Sequence, residues 1–248
     1  EGLQHQDGHS HILSSTIPNC LSYDPAYAYE LAIIFKDGIQ KMFVEQQNYY
    51  YYITVTNENY EQPEQPKGIE EDVIKGLYKV SGCEDPDIRL IGSGSILKES
   101  LLAKEMLKKH SIDAEVWSAT SFNLLRKDGM EAERHNQLNP HKAPLVTHLD
   151  KCFGNKDIPV VASTDYMRAY ADQIRPYINS SYAVLGTDGF GRSDSREELR
   201  DFFEISANHI MRVTAYSLYK ESKISKEALD AIYKEVKVDP SKPNPWEV

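Results

Sequence analysis

The sequence predicts an α/β protein in which residues 68–248 form a mixed, mostly parallel sheet of about five strands flanked by helices. Three observations lead to this prediction. Short apolar runs alternate with longer amphipathic segments, which is the pattern of βαβ units. The polar stretch "ENYEQPEQPKG", with its two prolines, separates residues 1–67 from the rest. A hydrophobic content of 40% and a charged content of 27% are ordinary for a globular protein.

One helix and one strand are predicted before this linker. In "YDPAYAYELAIIFKDG", Asp24 is a typical N-cap and Pro25 suits the first helical position, and apolar residues follow at helical spacing until Asp37 and Gly38. The aromatic and β-branched run "NYYYYITVTN" predicts a strand, with a binding stripe as the alternative.

Strands and helices alternate after the linker, where "IEEDVIKGLYKV" is typical of a short helix. The predicted strands are "IRLIGSG", "AEVWSAT", a weaker "KAPLVTHL", "IPVVAST" and "YAVLGTDG". The predicted helices are "KESLLAKEMLKKH", "FNLLRKDGMEAERHNQL" with a break at Gly129, "DYMRAYADQIRPYI" capped by Thr164 or Asp165, "SREELRDFF", "SANHIMRVTAYSLYKES" capped by Ser206, and "SKEALDAIYKEV" capped by Ser225. Such alternation favours parallel pairing.

The net charge of −10 argues against a nucleic-acid or anionic-membrane partner, because phosphate binding needs a clustered basic surface. The three cysteines, Cys20, Cys83 and Cys152, are widely spaced and form no CxxC motif, so they indicate a reducing, cytoplasmic location rather than a disulfide framework or a zinc knuckle. The longest apolar runs are too short to span a bilayer. Because no initiator methionine is present, we expect this chain to be a piece of something larger.

The first eleven residues, "EGLQHQDGHSH", contain three of the eight histidines. His5 and His9 have the spacing of a zinc-peptidase helix, but Gln6 stands where that motif needs glutamate, and Gly8 disfavours a helix. A helical metal site is therefore not expected. A histidine near a carboxylate can act instead as a general acid or an anion-binding group. A solvated loop is the alternative.

Two glycine-containing segments follow predicted strands. "GSGSIL" contains Gly92 and Gly94 but has Leu97 where a dinucleotide fingerprint needs a third glycine, so it predicts a tight strand-to-helix turn. "GTDGFGRSD", here called the glycine loop (residues 186–194), lies where parallel sheets gather ligands. It is either an ordinary turn or a functional or interface loop, with the candidate residues Gly186, Asp188, Gly189, Gly191, Arg192 and Asp194.

Several segments together resemble the homodimeric bacterial pyruvate dehydrogenase decarboxylases, a thiamine-dependent family. The segments are "EGLQHQDGHSH", "IPNC" with "SYDPAYAYE", "YYYIT" with "NENY", "GSGSIL", "ASTDYM" and "LGTDGFGRSDSRE". The resemblance extends over all 248 residues and implies a transketolase-like architecture. Residues 1–67 would be the C-terminal portion of the pyrimidine-binding domain plus a linker, and residues 68–248 a transketolase-like C-terminal domain.

The resemblance also implies an activity. The full-length enzyme would use thiamine diphosphate and Mg to decarboxylate pyruvate, and would reductively acetylate the lipoyl group of dihydrolipoamide acetyltransferase as a homodimer. The family's Gly-Asp-Gly and Asn-Asn cofactor motif is absent from this sequence. We therefore expect the chain alone to bind neither cofactor nor Mg and to be inactive.

Glu1 and His5 match residues that face the thiazolium ring in this family, so the resemblance implies that both are catalytic. His9 and His11 would belong to a supporting loop. The glycine loop would lie near the dimer interface or the mouth of the active site. A stand-alone, flavodoxin-like regulatory or binding domain is the alternative, since fold alone does not fix function.

Overall fold

A computed structural model describes residues 6–247 of the chain. Within this range the chain forms a two-stranded sheet and a five-stranded sheet, with helices packed against both. The two sheets are joined by a polar segment that contains the predicted linker. No helix in the described range is both long and apolar enough to cross a membrane.

The smaller sheet is built from the first part of the chain. Its elements are α1 (Ser10–Ser15), β1 (Cys20–Tyr23), α2 (Ala28–Gly38) and β2 (Tyr50–Ile53). Strands β1 and β2 are parallel, with Cys20 opposite Tyr50 and Tyr23 opposite Ile53. The predicted strand in "NYYYYITVTN" is therefore confirmed, whereas β1 was not predicted.

The predicted start of helix α2 was wrong. The helix begins at Ala28 because the buried carboxylate of Glu30 accepts hydrogen bonds from the backbone N–H groups that precede it, at 3.0 Å from Tyr27. Asp24 lies outside the helix and is buried. At the other end, the α-helix ends at Gly38, as predicted, and the chain continues as a π-helical segment over Ile39–Val44.

The larger sheet has the strand order β3-β5-β4-β6-β7. Its strands are β3 (Tyr78–Ser81), β4 (Ile88–Gly92), β5 (Ala114–Ser118), β6 (Val160–Ser163) and β7 (Tyr182–Leu185). Strand β3 is antiparallel to β5, and the other neighbours are parallel. The prediction of a mixed, mostly parallel sheet of five strands is confirmed.

One of the five predicted strands was placed wrongly. Residues 142–147 form no strand, and the apolar end of "KAPLVTHL" instead leads into helix α6 (His148–Phe153). The missing strand is β3, which lies in the segment predicted to be wholly helical. That segment forms only a short helix α3 (Glu70–Lys75), which ends at Gly76 in a left-handed conformation with φ of 105°.

The remaining helices cover the two faces of the larger sheet. They are α4 (Leu97–Lys108), α5 (Phe122–Leu138), α7 (Arg168–Asp172), α8 (Arg196–Phe202), α9 (Ala207–Lys220) and α10 (Lys226–Glu235).

The predicted break and caps of these helices had different outcomes. Helix α5 is not broken at Gly129, where a Cβ atom would lie 2.5 Å from the ring of Tyr177, so the glycine allows close packing. Helix α7 starts after Met167, so neither Thr164 nor Asp165 caps it. Ser206 and Ser225 occupy the N-cap positions of α9 and α10, as predicted.

Alternate residues of the central strands enter two different cores, as a sheet buried on both faces requires. One core lies beneath α4, α9 and α10, and the other beneath α5, α6 and α7. Leu90, Val116 and Val161 point into the first core, and Ile91, Trp117 and Ala162 point into the second.

The antiparallel edge of the larger sheet is irregular. The register between β3 and β5 shifts between Lys79 and Ser81, which marks a bulge. The Lys79 ammonium group lies 2.7 Å from the Glu115 carboxylate on the neighbouring strand. Arg89 donates from Nε to the other carboxylate oxygen of Glu115 at 2.7 Å, so a buried ion pair links β4 and β5.

Candidate functional site at the carboxyl ends of the strands

Strands from both sheets end at one cleft. Residues at or just beyond the ends of β1, β2, β4 and β6 line a cavity of about 740 Å³, and they include Asp24, Thr54, Ser95 and Asp165. Ligands of α/β proteins collect at the carboxyl ends of parallel strands. The cleft is therefore the candidate functional site of the described residues.

A second cavity of about 240 Å³ adjoins the first, since both are lined by Ser95 and Asp165. The smaller cavity is also lined by Gln6, Asp7 and Arg192. The start of the chain and the glycine loop, which are 185 residues apart, thus meet at the candidate site.

The glycine loop contacts the start of the chain directly. The Gly191 N–H donates to Oε1 of Gln6 at 2.9 Å. A Cβ atom at Gly191 would lie 2.5 Å from the Cβ atom of Gln6, so only glycine allows this approach. Nearby, the Met167 N–H donates to the Gly8 carbonyl at 3.0 Å.

The two halves of the glycine loop have different surroundings. Arg192 lines the smaller cavity and Asp194 the larger one. Asp188 accepts a hydrogen bond from the Arg168 N–H at 3.1 Å, away from the cleft. Gly189 has a φ of 116° and lies against the backbone of Pro245. The cleft is therefore bordered by Thr187 and by the second half of the loop, and the location at a dimer interface or active-site mouth stays a prediction.

Asp24 forms the centre of a buried polar network at the base of the cleft. Its carboxylate accepts hydrogen bonds from the hydroxyl groups of Thr54 at 2.8 Å and Ser93 at 2.9 Å. Burial raises the pKa of Asp24 to about 7, although these two hydrogen bonds act in the opposite direction. Burial therefore favours the protonated form of this carboxyl group over a wider pH range than in a free aspartate.

His11 extends this network. The prediction that it belongs to a loop was wrong. It lies in helix α1, is 0% exposed, and stacks on Tyr170 with ring centroids 4.7 Å apart. Its Nε2 lies 3.0 Å from the Thr54 hydroxyl and its Nδ1 lies 2.8 Å from the Ser22 hydroxyl. Because Thr54 directs its own hydrogen to Asp24, Nε2 is the donor and Nδ1 accepts from Ser22.

The charge state of His11 agrees with this arrangement. Burial lowers the pKa of His11 to about 4, against a smaller opposite effect of Asp7. The ring is therefore neutral at pH 7 and acts as a structural connector.

The other predicted residues of this segment lie elsewhere. His9 is exposed at the N-cap position of α1. Glu1 and His5, the two predicted catalytic residues, lie outside the described residues.

An ion-pair network closes the far wall of the cleft. Glu58 accepts a hydrogen bond from Arg200 at 2.8 Å and pairs with Lys98. Burial alone would raise the pKa of Glu58, but hydrogen bonds from Arg200 and Lys98 outweigh it and lower the pKa. Arg200 also donates to Glu99 at 3.3 Å. This network fastens the predicted linker to helices α4 and α8.

The site residues that sequence reasoning missed share one signal. Asp24, Thr54, Ser93 and Asp165 all follow the last residue of a strand by one or two positions. The carboxyl ends of parallel strands lie together, so polar residues at those positions could have been grouped before the fold was known. Asp24 was instead interpreted as a helix cap.

The described residues do not fit a Mg site. Between residues 6 and 247, no group of three or more histidine, cysteine, aspartate or glutamate side chains is arranged to hold a metal ion. Asp165 is exposed at the cleft, and among residues 6–247 its carboxylate accepts a hydrogen bond from Ser95 at 3.2 Å. No step involving a metal is therefore assigned to these side chains.

Comparison with known proteins places this chain in a family. Residues 76–206 match the family model described as the transketolase-like TK C-terminal domain, and residues 1–63 match the pyruvate dehydrogenase E1 component middle domain. Solved structures agree with the fold. A transketolase from Leishmania mexicana superposes with a TM-score of 0.63 at 19% identity, over 88% of this chain and 28% of that one. The chain belongs to the transketolase-like C-terminal domain family.

Individual proteins that match the whole chain carry a more specific description than the family model. The chain is 49% identical to the pyruvate dehydrogenase E1 component of Pseudomonas aeruginosa and 49% identical to that of Escherichia coli K12, over 99% of this chain in each case. It is 46% identical to the E1 component of Cupriavidus necator over its whole length. The chain spans 28% of the length of each of these relatives and matches a C-terminal portion of them.

Proposed function

We propose that this chain is the C-terminal portion of a thiamine diphosphate-dependent pyruvate dehydrogenase. The whole enzyme would decarboxylate pyruvate and reductively acetylate the lipoyl group of a dihydrolipoamide acetyltransferase. The observation that carries the proposal is the 46–49% identity to three E1 components over 99–100% of the chain. Residues 1–67 would complete the pyrimidine-binding domain and residues 68–248 would be the C-terminal domain.

The proposed catalytic residues are Glu1 and His5. His5 directly precedes Gln6, which lines the smaller cavity of the cleft. Attack on the keto group of pyruvate develops negative charge on its oxygen, and a hydrogen bond from His5 would stabilise that charge by about 3 kcal/mol. A carboxylate such as Glu1 beside the ring would orient it and keep it more basic.

The cofactor and its Mg ion would be held by residues outside this chain, because the family's Gly-Asp-Gly and Asn-Asn motif is absent from this sequence. The isolated chain would then be inactive, and the full-length enzyme would be a cytoplasmic homodimer. One structural neighbour supports an incomplete enzyme of this kind. A chain described as the inactive beta4 tetramer of a split-gene transketolase superposes with a TM-score of 0.59 at 15% identity, over 88% of this chain and 64% of that one.

The test compares the full-length polypeptide with the isolated chain of 248 residues. Pyruvate decarboxylation is measured with thiamine diphosphate and Mg, and acetyl transfer is measured with a lipoyl domain. We expect turnover only from the full-length protein. Titration calorimetry of the isolated chain should show no thiamine diphosphate binding tighter than millimolar. A full-length protein without pyruvate-dependent turnover would contradict the proposal.

A further inference from the structure

We propose that a cavity beside strand β7 is a binding site for a small anion that carries phosphate or carboxylate groups. This cavity, here called the β7 cavity, has a volume of about 410 Å³. Its walls come from β7, the α7 region, helix α9, the glycine loop and the segment 242–246 that follows α10. Cavities of this size commonly hold small ligands. The proposal is independent of the proposed function, because only described residues of this chain form the site.

One wall of the β7 cavity is an open edge of the larger sheet. Among the described strands, β7 pairs with β6 alone. The Val160 N–H donates to the Ser181 carbonyl at 2.8 Å, and the Thr164 N–H donates to the Leu185 carbonyl at 3.2 Å. Backbone groups of alternate residues point to opposite sides of a strand. Val184 therefore directs its N–H and its carbonyl group away from β6, toward the open edge.

The backbone of Val184 is buried without a partner among residues 6–247. Within that range no hydrogen bond outside the β6–β7 pairing involves its N–H or its carbonyl oxygen. Val184 is nevertheless only 5% exposed, and it lines the β7 cavity. Buried backbone groups are nearly always paired, and an unpaired one costs free energy. An acceptor oxygen on a ligand in the cavity would satisfy the Val184 N–H.

The charged side chains around the β7 cavity favour an anion. Four cationic side chains line it against two carboxylates, although the whole chain has a net charge of −10. The cations are Arg168, Arg175, Arg212 and Lys242, and the carboxylates are Asp188 and Glu204. Arginine binds phosphate and carboxylate groups through charge-assisted hydrogen bonds. The cavity therefore combines a local excess of positive charge with a buried N–H donor.

Two of the arginines have donors left for a ligand. Among residues 6–247, Arg168 bonds to Asp188 through its backbone N–H at 3.1 Å, and its guanidinium group has no hydrogen-bond or ion-pair partner. Arg212 donates from Nη2 to Glu204 at 2.5 Å. A guanidinium group has five N–H donors, so most of those of Arg212 remain available. Arg168 and Arg212 are therefore the expected ligand contacts.

The other two cations are fixed in the wall of the cavity. Arg175 donates from Nε to Asp172 at 2.9 Å and from Nη1 to the Tyr182 carbonyl at 2.7 Å. Lys242 donates to the Asp201 carbonyl at 2.5 Å. Their charges still act on an anion nearby, because a group in a partly enclosed site is screened less than one on an open surface.

The β7 cavity contains its own spectroscopic reporter. The chain has two tryptophans, and Trp246 lines the cavity and is 52% exposed, whereas Trp117 is 4% exposed. Binding is measured on the 248-residue chain by tryptophan fluorescence and by titration calorimetry. The probes are pyrophosphate for the phosphate class, citrate for the carboxylate class, and a short acidic peptide of alternating glutamate and valine. Potassium chloride at matched ionic strength controls for charge screening.

The variants separate this cavity from other cationic surfaces. Arg168→Met removes a guanidinium group that has no partner among residues 6–247, so the fold should be unaffected. Arg212→Met removes the second expected contact. Arg134→Met is the matched control, since Arg134 is exposed on α5 and lies outside the β7 cavity. Trp246→Phe removes the reporter, and the Tm of each variant checks its folding.

We expect at least one of the two polyanions to bind with a Kd below about 1 mM, and the tighter one identifies the ligand class. Arg168→Met and Arg212→Met should each raise that Kd at least about tenfold, whereas Arg134→Met should leave it unchanged. Trp246→Phe should abolish the fluorescence change and keep the heat of binding.

Three results would overturn the proposal. The first is the absence of binding by both pyrophosphate and citrate. The second is an equal Kd in Arg168→Met and Arg134→Met, because the anion would then bind elsewhere. The third is binding of the acidic peptide but of neither small anion, since the open edge of β7 would then serve to pair with an added strand.

Discussion

His11 donates a hydrogen bond through Nε2 to the hydroxyl of Thr54, 3.0 Å away, although the two residues are 43 positions apart in the chain. Thr54 in turn donates to Asp24, whose other oxygen accepts from Ser93 at the end of β4. Helix α1, the smaller sheet and the larger sheet are therefore joined by one continuous set of buried and partly buried hydrogen bonds.

Replacing His11 should destabilise the protein. His11→Ala removes a fully buried ring, two hydrogen bonds and a stacking contact with Tyr170, so we expect a loss of about 3 kcal/mol in the free energy of unfolding. His9→Ala is the matched control and should change stability by less than about 0.5 kcal/mol, since His9 is exposed. Urea denaturation of both variants measures the difference. Equal effects would show that His11 is not a structural connector.

Asp24 should make stability fall as pH rises. Its pKa in the folded protein is about 7, above the ordinary value of 3.8, so the folded state binds more protons than the unfolded state between these values. The free energy of unfolding should therefore decrease across pH 4–7, by up to about 4 kcal/mol from this group.

Asp24→Asn should remove this dependence. His11 acts in the opposite direction, because its pKa falls from 6.5 to about 4 in the folded protein and its contribution to stability grows as pH rises over that interval. The contribution of Asp24 is the difference between wild type and Asp24→Asn at each pH, measured by denaturant titration. A difference that does not vary between pH 4 and 8 would refute the prediction.

Breaking the buried ion pair should be costly. Arg89 is 3% exposed and donates to Glu115 and to the Phe153 carbonyl, each at 2.7 Å. Arg89→Met removes a buried donor from both acceptors, while Lys79 stays 2.7 Å from Glu115, so we expect a loss of about 2 kcal/mol in the free energy of unfolding. Lys75→Met, at the exposed pair with Glu71, should cost less than about 0.5 kcal/mol. Chemical denaturation tests both, and similar losses would contradict the prediction.

Gly94→Ala should disturb the turn that follows β4. Gly94 has a φ of 48°, and an added Cβ atom would lie 2.5 Å from both carboxylate oxygens of Asp24. We expect a loss of at least about 2 kcal/mol in the free energy of unfolding, since backbone strain and a clash combine. Gly82→Ala is the control, and thermal unfolding of the two variants is the measurement. A Gly94→Ala protein as stable as the control would refute the predicted clash.

Kinetics of the full-length enzyme test the role of His5. His5→Ala should lower kcat for pyruvate on the order of 100-fold while leaving cofactor affinity almost unchanged, because one charge-stabilising donor near the reacting carbon is lost. His9→Ala should cost much less, since its side chain is exposed outside the buried network. Steady-state rates are compared with cofactor Kd from fluorescence titration. Greater damage in His9→Ala would return the histidine segment to a solvated loop.

The larger sheet could be predicted because its strands are short apolar runs with clear boundaries. Strand β3 was missed because Lys79 and Val80 continue the helical pattern of "IEEDVIKG", and only the left-handed Gly76 separates helix from strand. The segment "KAPLVTHL" has strand composition, but its end is drawn into α6 by the capping box of Thr147 and Asp150. Local composition does not reveal such tertiary and capping effects.

The candidate site was less predictable than the fold. Residues of the glycine loop could be proposed from composition, and Arg192 and Asp194 do line the cleft. The partner of Gly191 could not be found, since Gln6 is 185 positions away. Asp24 was assigned to a helix cap because helix caps and strand ends favour the same residue types. Here the helix start is marked by Glu30, which accepts a hydrogen bond from the Tyr27 N–H, and not by Asp24.

The bulge in β3 has a consequence for the solubility of the protein. An exposed edge strand is a template for pairing with another chain, and such pairing leads to aggregation. Here the edge is interrupted between Lys79 and Ser81, and Lys79 carries a charge that a docking strand would have to bury. A bulge also increases the local twist, which a flat fibril cannot accommodate. We therefore expect the irregular strand β3 to disfavour fibril growth at this edge of the sheet.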